Sequence, residues 1–259
     1  HFGHATGLAR RLESAKERGV RIIVLVKEVP DTYGDRKLDL ETGLADRDAG
    51  DRVLDEIGER SVEAAVSYKE AHPDTEVVVL SVGPASVPTA LRKALAMGSD
   101  SAIHVLDEEL AGADLTLTAE VLAAAIRKAG FDLVLAGNLS TDGTSGVIPA
   151  MVAELLGVAH VTSLSSWELT DTEVAGTRAT DGGVAQVRAA LPAVVSITEA
   201  FPDPRFPNFK GIMAAKKKPF ETVTLADLGV AIDDESVPRS IVIAATERPA
   251  RAAGVKIVG

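Results

Sequence analysis

"DLVLAGNLSTDGTSGVIPAMVAELLG", residues 132–157, decides the fold. Its apolar run, Leu133 to Ala136, has the unbroken hydrophobic character expected of a strand covered on both faces. The run then breaks into Gly, Asn, Ser, Thr and Asp, and a helix-like pattern restarts near Gly146. A strand, a polar glycine-bearing turn and a helix together make half of a βαβ unit.

The same pattern extends outward. "RIIVLVK" (21–27) and "EVVVLSV" (76–82) are near-continuous apolar runs, and "AIHVLD" (102–107) is a weaker one. Helix patterns lie between them. Residues 55–71 place Val62, Ala65, Val66 and Ala71 near one face. Residues 86–98 open on a Ser cap with Pro just inside and end at Gly, and residues 113–130 again end at Gly. Alternating strands and helices predict an α/β fold with a mostly parallel sheet and helices on both faces. After residue 158, four short segments rich in Thr, Val and Ser are expected to be strands or hairpins added to that sheet. From residue 201 the regular pattern stops. An extended tail to Gly259 is expected, with one short helix at "LADLG".

Composition narrows the functions. In a chain of 259 residues, a 46% hydrophobic content suffices for a sizeable core, and a net charge of -11 disfavours a nucleic-acid partner. No apolar run approaches the roughly 20 residues that span a bilayer. The absence of cysteine excludes disulfides, thiolate-held clusters and cysteine nucleophiles. The histidines show no metal-ligand spacing beyond the terminal pair His1 and His4, and the carboxylates form no recognisable acid–base dyad. Residues 1–19 lack an initiator Met and a hydrophobic core, so they are expected to be a non-native or upstream extension. Their Arg content also permits a transit peptide.

Two stretches remain. The loop after "DLVLAG" sits at the carboxyl end of a strand, where α/β sheets bind ligands. Gly143 and Gly146 allow close backbone approach, and Ser140, Thr141, Thr144 and Ser145 can donate hydroxyls. It suits a phosphate, or is an ordinary capped turn. It lacks the Gly-Lys-Ser/Thr end of a P-loop, so no lysine is placed for a γ-phosphate, and binding without hydrolysis is expected. The other stretch, 201–220, gathers Phe201, Phe206, Phe209 and Phe220 with Pro202, Pro204, Pro207 and Pro219. Either it packs over a core or it offers anchors to a partner. The adjoining Lys216 to Lys218 taken alone is expected to be a solvated face.

Taken together, these stretches resemble the beta subunit of electron transfer flavoproteins that serve acyl-CoA dehydrogenases. The matching pieces include "VLVKEVPDT" (24–32), "ALAMGSDSAIHV" (94–105), the loop at 132–157, "DGGVAQVRAALPAVVSITEA" (181–200), "DPRFPNFKGIMAAKKKP" (203–219), "LADLGV" (225–230) and "RPARAAGVKI" (248–257). The resemblance implies a Rossmann-like, adenine-nucleotide-binding domain over 20–200 that holds a structural AMP. Redox-active FAD would lie mainly on an alpha subunit. The AMP pocket would be formed by Leu25, Asp55, Glu56, Ile57, Gly58, Val82 and the loop Gly137, Asn138, Leu139, Ser140, Thr141, Asp142, Gly143, Thr144 and Ser145. Relatives often carry Asn-Pro where this chain has Asp55-Glu56. Thr32 and Tyr33 would approach the flavin ring. A recognition loop over 197–219 would dock a dehydrogenase through Phe209, with Ile212 and Met213 beside it, and a C-terminal arm over 220–259 would contact alpha.

The subunit is expected to pass electrons from acyl-CoA dehydrogenases towards an electron transfer flavoprotein–quinone oxidoreductase, and not to be catalytic alone. It would bind no nucleic acid and would not be embedded in a membrane. It would lie in a bacterial cytoplasm, or in a mitochondrial matrix if residues 1–19 are a transit peptide. Relatives usually continue past "AGVKI" into a last helix, so the end at Gly259 is expected to reflect either a missing tail or a short member. Three alternatives stand: a bifurcating type with a second FAD in place of AMP, an adenylyl-transferring enzyme, and a stand-alone AMP-sensing module. The adenylyl-transferring enzyme would need a pyrophosphate loop where "VKEVPDTYGD" stands.

Overall fold

The computed structural model describes residues 19–34, 37–233, 239–249 and 254; the expectations for residues 1–18 lie outside them. Five strands form the centre of the sheet: β1 (Arg21–Leu25), β4 (Glu76–Val82), β5 (Ser101–Val105), β6 (Leu133–Gly137) and β11 (Ala193–Ile197). They run in the order β5-β4-β1-β6-β11, with β12 (Phe220–Val223) beyond β5 and β7 (Ala159–Leu164) beyond β11. Every neighbouring pair is parallel. Counted in chain order, the central strands lie 3-2-1-4-5, so successive connections leave β1 first towards β4 and then towards β6. The connections change direction at that switch point, and in open α/β sheets ligands bind outside the strand ends at such a point.

Burial on both faces explains the apolar runs. Ile22 and Val24 face one core and Ile23 the other, all three at 0% exposure, as the two-residue period of a strand requires. Helices α1 (Glu56–Ala71) and α2 (Pro88–Met97) cover the first face with Val62, Ala65, Leu91 and Leu95. The second is covered by α3 (Leu115–Ala129) and α4 (Ile148–Leu156) with Val121, Ile126, Val152 and Ala153. The expected sheet with helices on both faces is what the chain forms.

Some details differ from the sequence reading. Of the segments after residue 158, β7 and β11 do join the main sheet. However, β8 (Ser166–Leu169), β9 (Glu173–Thr180) and β10 (Gly183–Ala190) form a separate three-stranded antiparallel sheet. Polarity explains the split. Among these segments β11 is buried at every position, whereas β10 exposes Gly183, Val184, Gln186, Arg188 and Ala190 and could not lie between two helix layers.

The stretch after residue 201 is also more regular than expected. It contains α5 (Phe209–Ala215) and the edge strand β12, followed by α6 (Leu225–Leu228) where the short helix was anticipated. Helix α5 is too short to show periodicity, but Asn208 caps it by accepting from the Gly211 N–H at 2.8 Å. Finally, Ser86 does not cap α2. Its hydroxyl donates to Glu28 at 2.5 Å and accepts from Arg52 at 2.6 Å, while Val87 occupies the cap position.

Of the lysine run, Lys216 and Lys217 are exposed, but Lys218 is not a solvated charge. Its ammonium donates to the Leu95 carbonyl at 2.8 Å and the Ser99 carbonyl at 2.6 Å, at the C-terminal end of α2, where cations are favoured. Lys218→Ala is therefore expected to cost about 1.5–3 kcal/mol, and Lys217→Ala less than about 0.5 kcal/mol. Thermal unfolding checks this: for a domain of this size Tm should fall by roughly 2–4 °C per kcal/mol lost.

Candidate functional site

The site lies at the carboxyl ends of β1 and β6, on either side of the switch point. Between β1 and α1 the chain makes a detour. Strands β2 (Glu28–Pro30) and β3 (Arg52–Leu54) pair antiparallel, and the excursion between them returns the chain to the sheet edge at Asp55. There the Asp55 N–H donates to the Lys27 carbonyl at 2.9 Å, fixing the start of α1 against the end of β1. Gly58 in the first turn packs on Val26. At the end of β6, a Cβ at Gly137 would come within 2.5 Å of the Ile57 side chain, so the close approach of α1 requires glycine there.

From Gly137 the loop turns back on itself. The Asn138 N–H extends the β6–β11 ladder by donating to the Ile197 carbonyl at 2.8 Å. The Thr144 N–H donates to the Ser140 carbonyl at 3.0 Å, with Thr144 in the left-handed region at φ 51°. The Gly143 N–H reaches the Ser140 hydroxyl at 3.3 Å and the Asp142 carboxylate at 2.6 Å. Among the described residues, the N–H groups of Ser145, Gly146 and Val147, just ahead of α4, have no acceptor. Unpaired N–H groups at a helix N-terminus are the elements of an anion site.

Two carboxylates define the electrostatics. Asp55 is 2% exposed; its Oδ2 accepts from the Thr141 N–H at 2.9 Å, while its Oδ1 has no partner. Burial pushes its carboxyl above the ordinary carboxylate value, more strongly than the bond from the Thr141 N–H pulls it down, and the Asp142 charge adds to the rise. The Thr141 hydroxyl oxygen is likewise buried and unpartnered. Asp142 is the opposite case. Burial alone would raise it, but the Lys27 ammonium outweighs that, with help from the Ser140 hydroxyl and the Gly143 N–H. Its carboxyl is held well below the usual range.

Lys27 Nζ lies 2.8 Å from Asp142 Oδ1, and Arg47 Nη2, from the β2–β3 excursion, lies 3.0 Å from Oδ2. The sequence reading had no lysine at this loop; one comes from the end of β1. The only hint was that Lys27 directly follows the first apolar run.

The other expected residues divide. Leu25 is buried at the end of β1, Val82 is half-buried at the end of β4, and Ile57 is half-buried against Gly137. Glu56 and Leu139 are exposed, and no contact turns Glu56 towards the loop. Thr32 and Tyr33 lie on the exposed first turn of the excursion, with Tyr33 98% exposed.

The four phenylalanines divide too. Phe201 is buried edge-on to Trp167, and Phe220 lies beneath the Arg92 guanidinium; Phe206 and Phe209 project into solvent at 95% and 78% exposure. Ile212 and Met213 are exposed beside Phe209. The segment is braced on α1. Arg205 bonds Glu63 at 2.8 and 2.9 Å and Glu70 at 2.5 and 3.0 Å, and Arg60 donates to the Phe201 carbonyl at 2.6 Å.

Residues 42–228, which hold α1, the glycine loop and the braced segment, match the family of the Electron transfer flavoprotein domain. The chain is 46% identical over 243 residues to the electron transfer flavoprotein subunit beta of Mycobacterium leprae, covering 91% of each. The chain belongs to the electron transfer flavoprotein beta-subunit family. The beta subunit of Syntrophomonas wolfei is 36% identical, with 92% of this chain and 90% of the relative covered. Subunit CarD of the caffeyl-CoA reductase–Etf complex of Acetobacterium woodii is 33% identical, with 82% and 81% covered. Among the described residues, no cluster of His, Asp and Glu could hold a metal ion, and no helix is long and apolar enough to cross a membrane.

The buried Asp55 of this family member carries a pH signature. Its folded value lies above its unfolded value, so its ionisation opposes folding. The cost is absent below the unfolded value of about 4, builds as pH rises through the folded value, and is constant above it. Asp55→Asn retains an acceptor for Thr141, and no side-chain capping bond to α1 is lost, since Asp55 makes none. It should raise Tm at pH 7 in ligand-free protein, and that gain should vanish near pH 3.5. A gain independent of pH would contradict the assignment.

Proposed function

We infer that this chain is the beta subunit of a heterodimeric electron transfer flavoprotein that holds a structural AMP in the loop from Gly137 to Ser145. Its partner is an alpha subunit carrying FAD. The pair passes electrons from acyl-CoA and related dehydrogenases towards a membrane quinone oxidoreductase. The observation that carries the nucleotide reading is the unused polar set at the switch point: the free oxygen of Asp55, the Thr141 hydroxyl and three unpaired N–H groups ahead of α4. The Asp55 oxygen and the Thr141 hydroxyl are buried, and leaving buried polar atoms without partners is costly, a cost that a ligand offsets; the three N–H groups stand on exposed residues, open to an incoming acceptor. The loop and the residues near it offer donors, acceptors and counter-charges, and no nucleophile–base pair; their work is binding.

Thr32 and Tyr33, on the far side of β2, are the residues of this chain that reach towards the flavin. FAD supplies the redox chemistry when bound; this chain orients and encloses. The bacterial relatives support a bacterial cytoplasmic setting. A second reading, favoured by the Acetobacterium woodii relative from a reductase complex, places a second FAD in the same loop.

Co-expression with the alpha subunit, denaturation and quantification of released nucleotides tests both readings. One FAD and one AMP per heterodimer supports the first. Two FAD and no AMP moves the protein to the second, the bifurcating type.

The braced segment is the dehydrogenase-docking element, with Phe209 as its anchor. Truncating a hot-spot aromatic costs roughly 2 kcal/mol or more. Phe209→Ala should therefore raise the dehydrogenase concentration needed for half-maximal flavin reduction by about thirtyfold, with nucleotide content and heterodimer assembly unchanged. Unaltered reduction kinetics at sub-saturating dehydrogenase would remove Phe209 from that role.

A further inference from the structure

We propose that Lys27 and Arg47 are the cations that fix the nucleotide's phosphate at the loop after β6, kept in position for it by Asp142. The proposal rests on the nucleotide reading of that loop. The loop from Gly137 to Val147 contains no Lys or Arg, so by itself it offers a phosphate only N–H dipoles and hydroxyls. A phosphate monoester carries close to two negative charges at neutral pH, and charge-assisted bonds are about twice as strong as neutral ones. The counter-charge must come from elsewhere in the fold, and two cations converge on this loop.

Lys27 Nζ is 3.8 Å from where a Cβ on Gly143 would stand, which puts the ammonium against the glycine-bearing crest of the loop. Arg47 arrives from the excursion, where its carbonyl accepts from Arg52 Nε at 3.0 Å. Both meet Asp142, whose side chain is only 6% exposed. The three side chains together carry one net positive charge. Asp142 is fully engaged, by Lys27, Arg47 and the Gly143 N–H. The two cations are not. Their side chains are 43% and 36% exposed, and each has N–H groups left to give.

A second, independent observation marks the crevice as a ligand site. Asp55, 2% exposed, bonds the loop through one oxygen and leaves the other without a partner. An ion-pair trio that merely latched the loop would account for Asp142 but not for the buried unused atoms beside it. The arrangement favours a phosphate monoester over the neutral nucleoside, because only the phosphate can engage both cations.

The test is calorimetric titration of nucleotide-depleted heterodimer, built from the full chain and its alpha subunit, with AMP and separately with adenosine. Lys27→Met and Arg47→Met should each weaken AMP binding roughly ten- to a hundredfold. Adenosine binding should stay within about twofold, and the salt dependence of AMP binding should flatten. Lys27→Arg, which keeps the charge, should restore most of the loss; it and Arg47→Met carry the test if Lys27→Met does not fold. The proposal is overturned if AMP binds the neutral variants as tightly as the parent. It is equally overturned if AMP and adenosine weaken in parallel, which would make the trio a latch. If the parent heterodimer binds neither compound, the nucleotide reading itself fails and this proposal falls with it.

Discussion

Strand β1 is hydrogen-bonded on both edges and covered on both faces, and most of the molecule follows from that. A central parallel strand must pair its whole ladder, here with β4 and β6. It must also send alternate side chains into two separate cores. Two helix layers are then obligatory, and each parallel connection must cross over one face. Because the connections leave β1 in opposite directions, its carboxyl end is a switch point between the two helix layers. Asp55, Lys27 and the loop after β6 all stand there because the ladder ends there.

The fold was legible because it rests on long apolar runs that periodicity reports well. The parallel sheet, its four main helices and the polar glycine-bearing loop after β6 could all be read from the chain. What escaped depends on partners distant in sequence. The pairing of Lys27 with Asp142 spans 115 positions and that of Arg47 with Asp142 spans 95, and no local pattern encodes either. Lys218 looked like surface charge until α2 and the turn after it supplied two carbonyls. Strand β12 is four residues long and shows its character only beside β5. The second sheet could have been anticipated from β10 itself, since a strand with Gln186 and Arg188 on one face and Ala185, Val187 and Ala189 on the other is suited to one covered face, not two.

Electrostatically the chain divides its labour. The net charge of -11 belongs to the surface as a whole. At the crevice, two carboxylates take opposite parts. One is disfavoured by burial and bonds the loop to α1 with half its capacity, and the other is stabilised by the cations it collects. Neighbouring acids on one crevice wall thus differ in protonation behaviour through environment alone, which is a common means of tuning a binding site.

The segment from Phe201 to Lys218 keeps its scaffold and its display on different side chains. Phe201, Arg205, Asn208, Ala215 and Lys218 face inward or bond to α1, α2 or the start of α5. Phe206, Phe209, Ile212 and Met213 face outward. Such a division lets a surface drift under selection while its foundation is conserved by stability alone. Mutations that retune what the segment offers fall on residues whose loss the fold hardly feels. Mutations that would collapse it fall on the residues that bond to α1, α2 or the start of α5. Single substitutions at the outward residues therefore change what this surface presents without unfolding the domain beneath it.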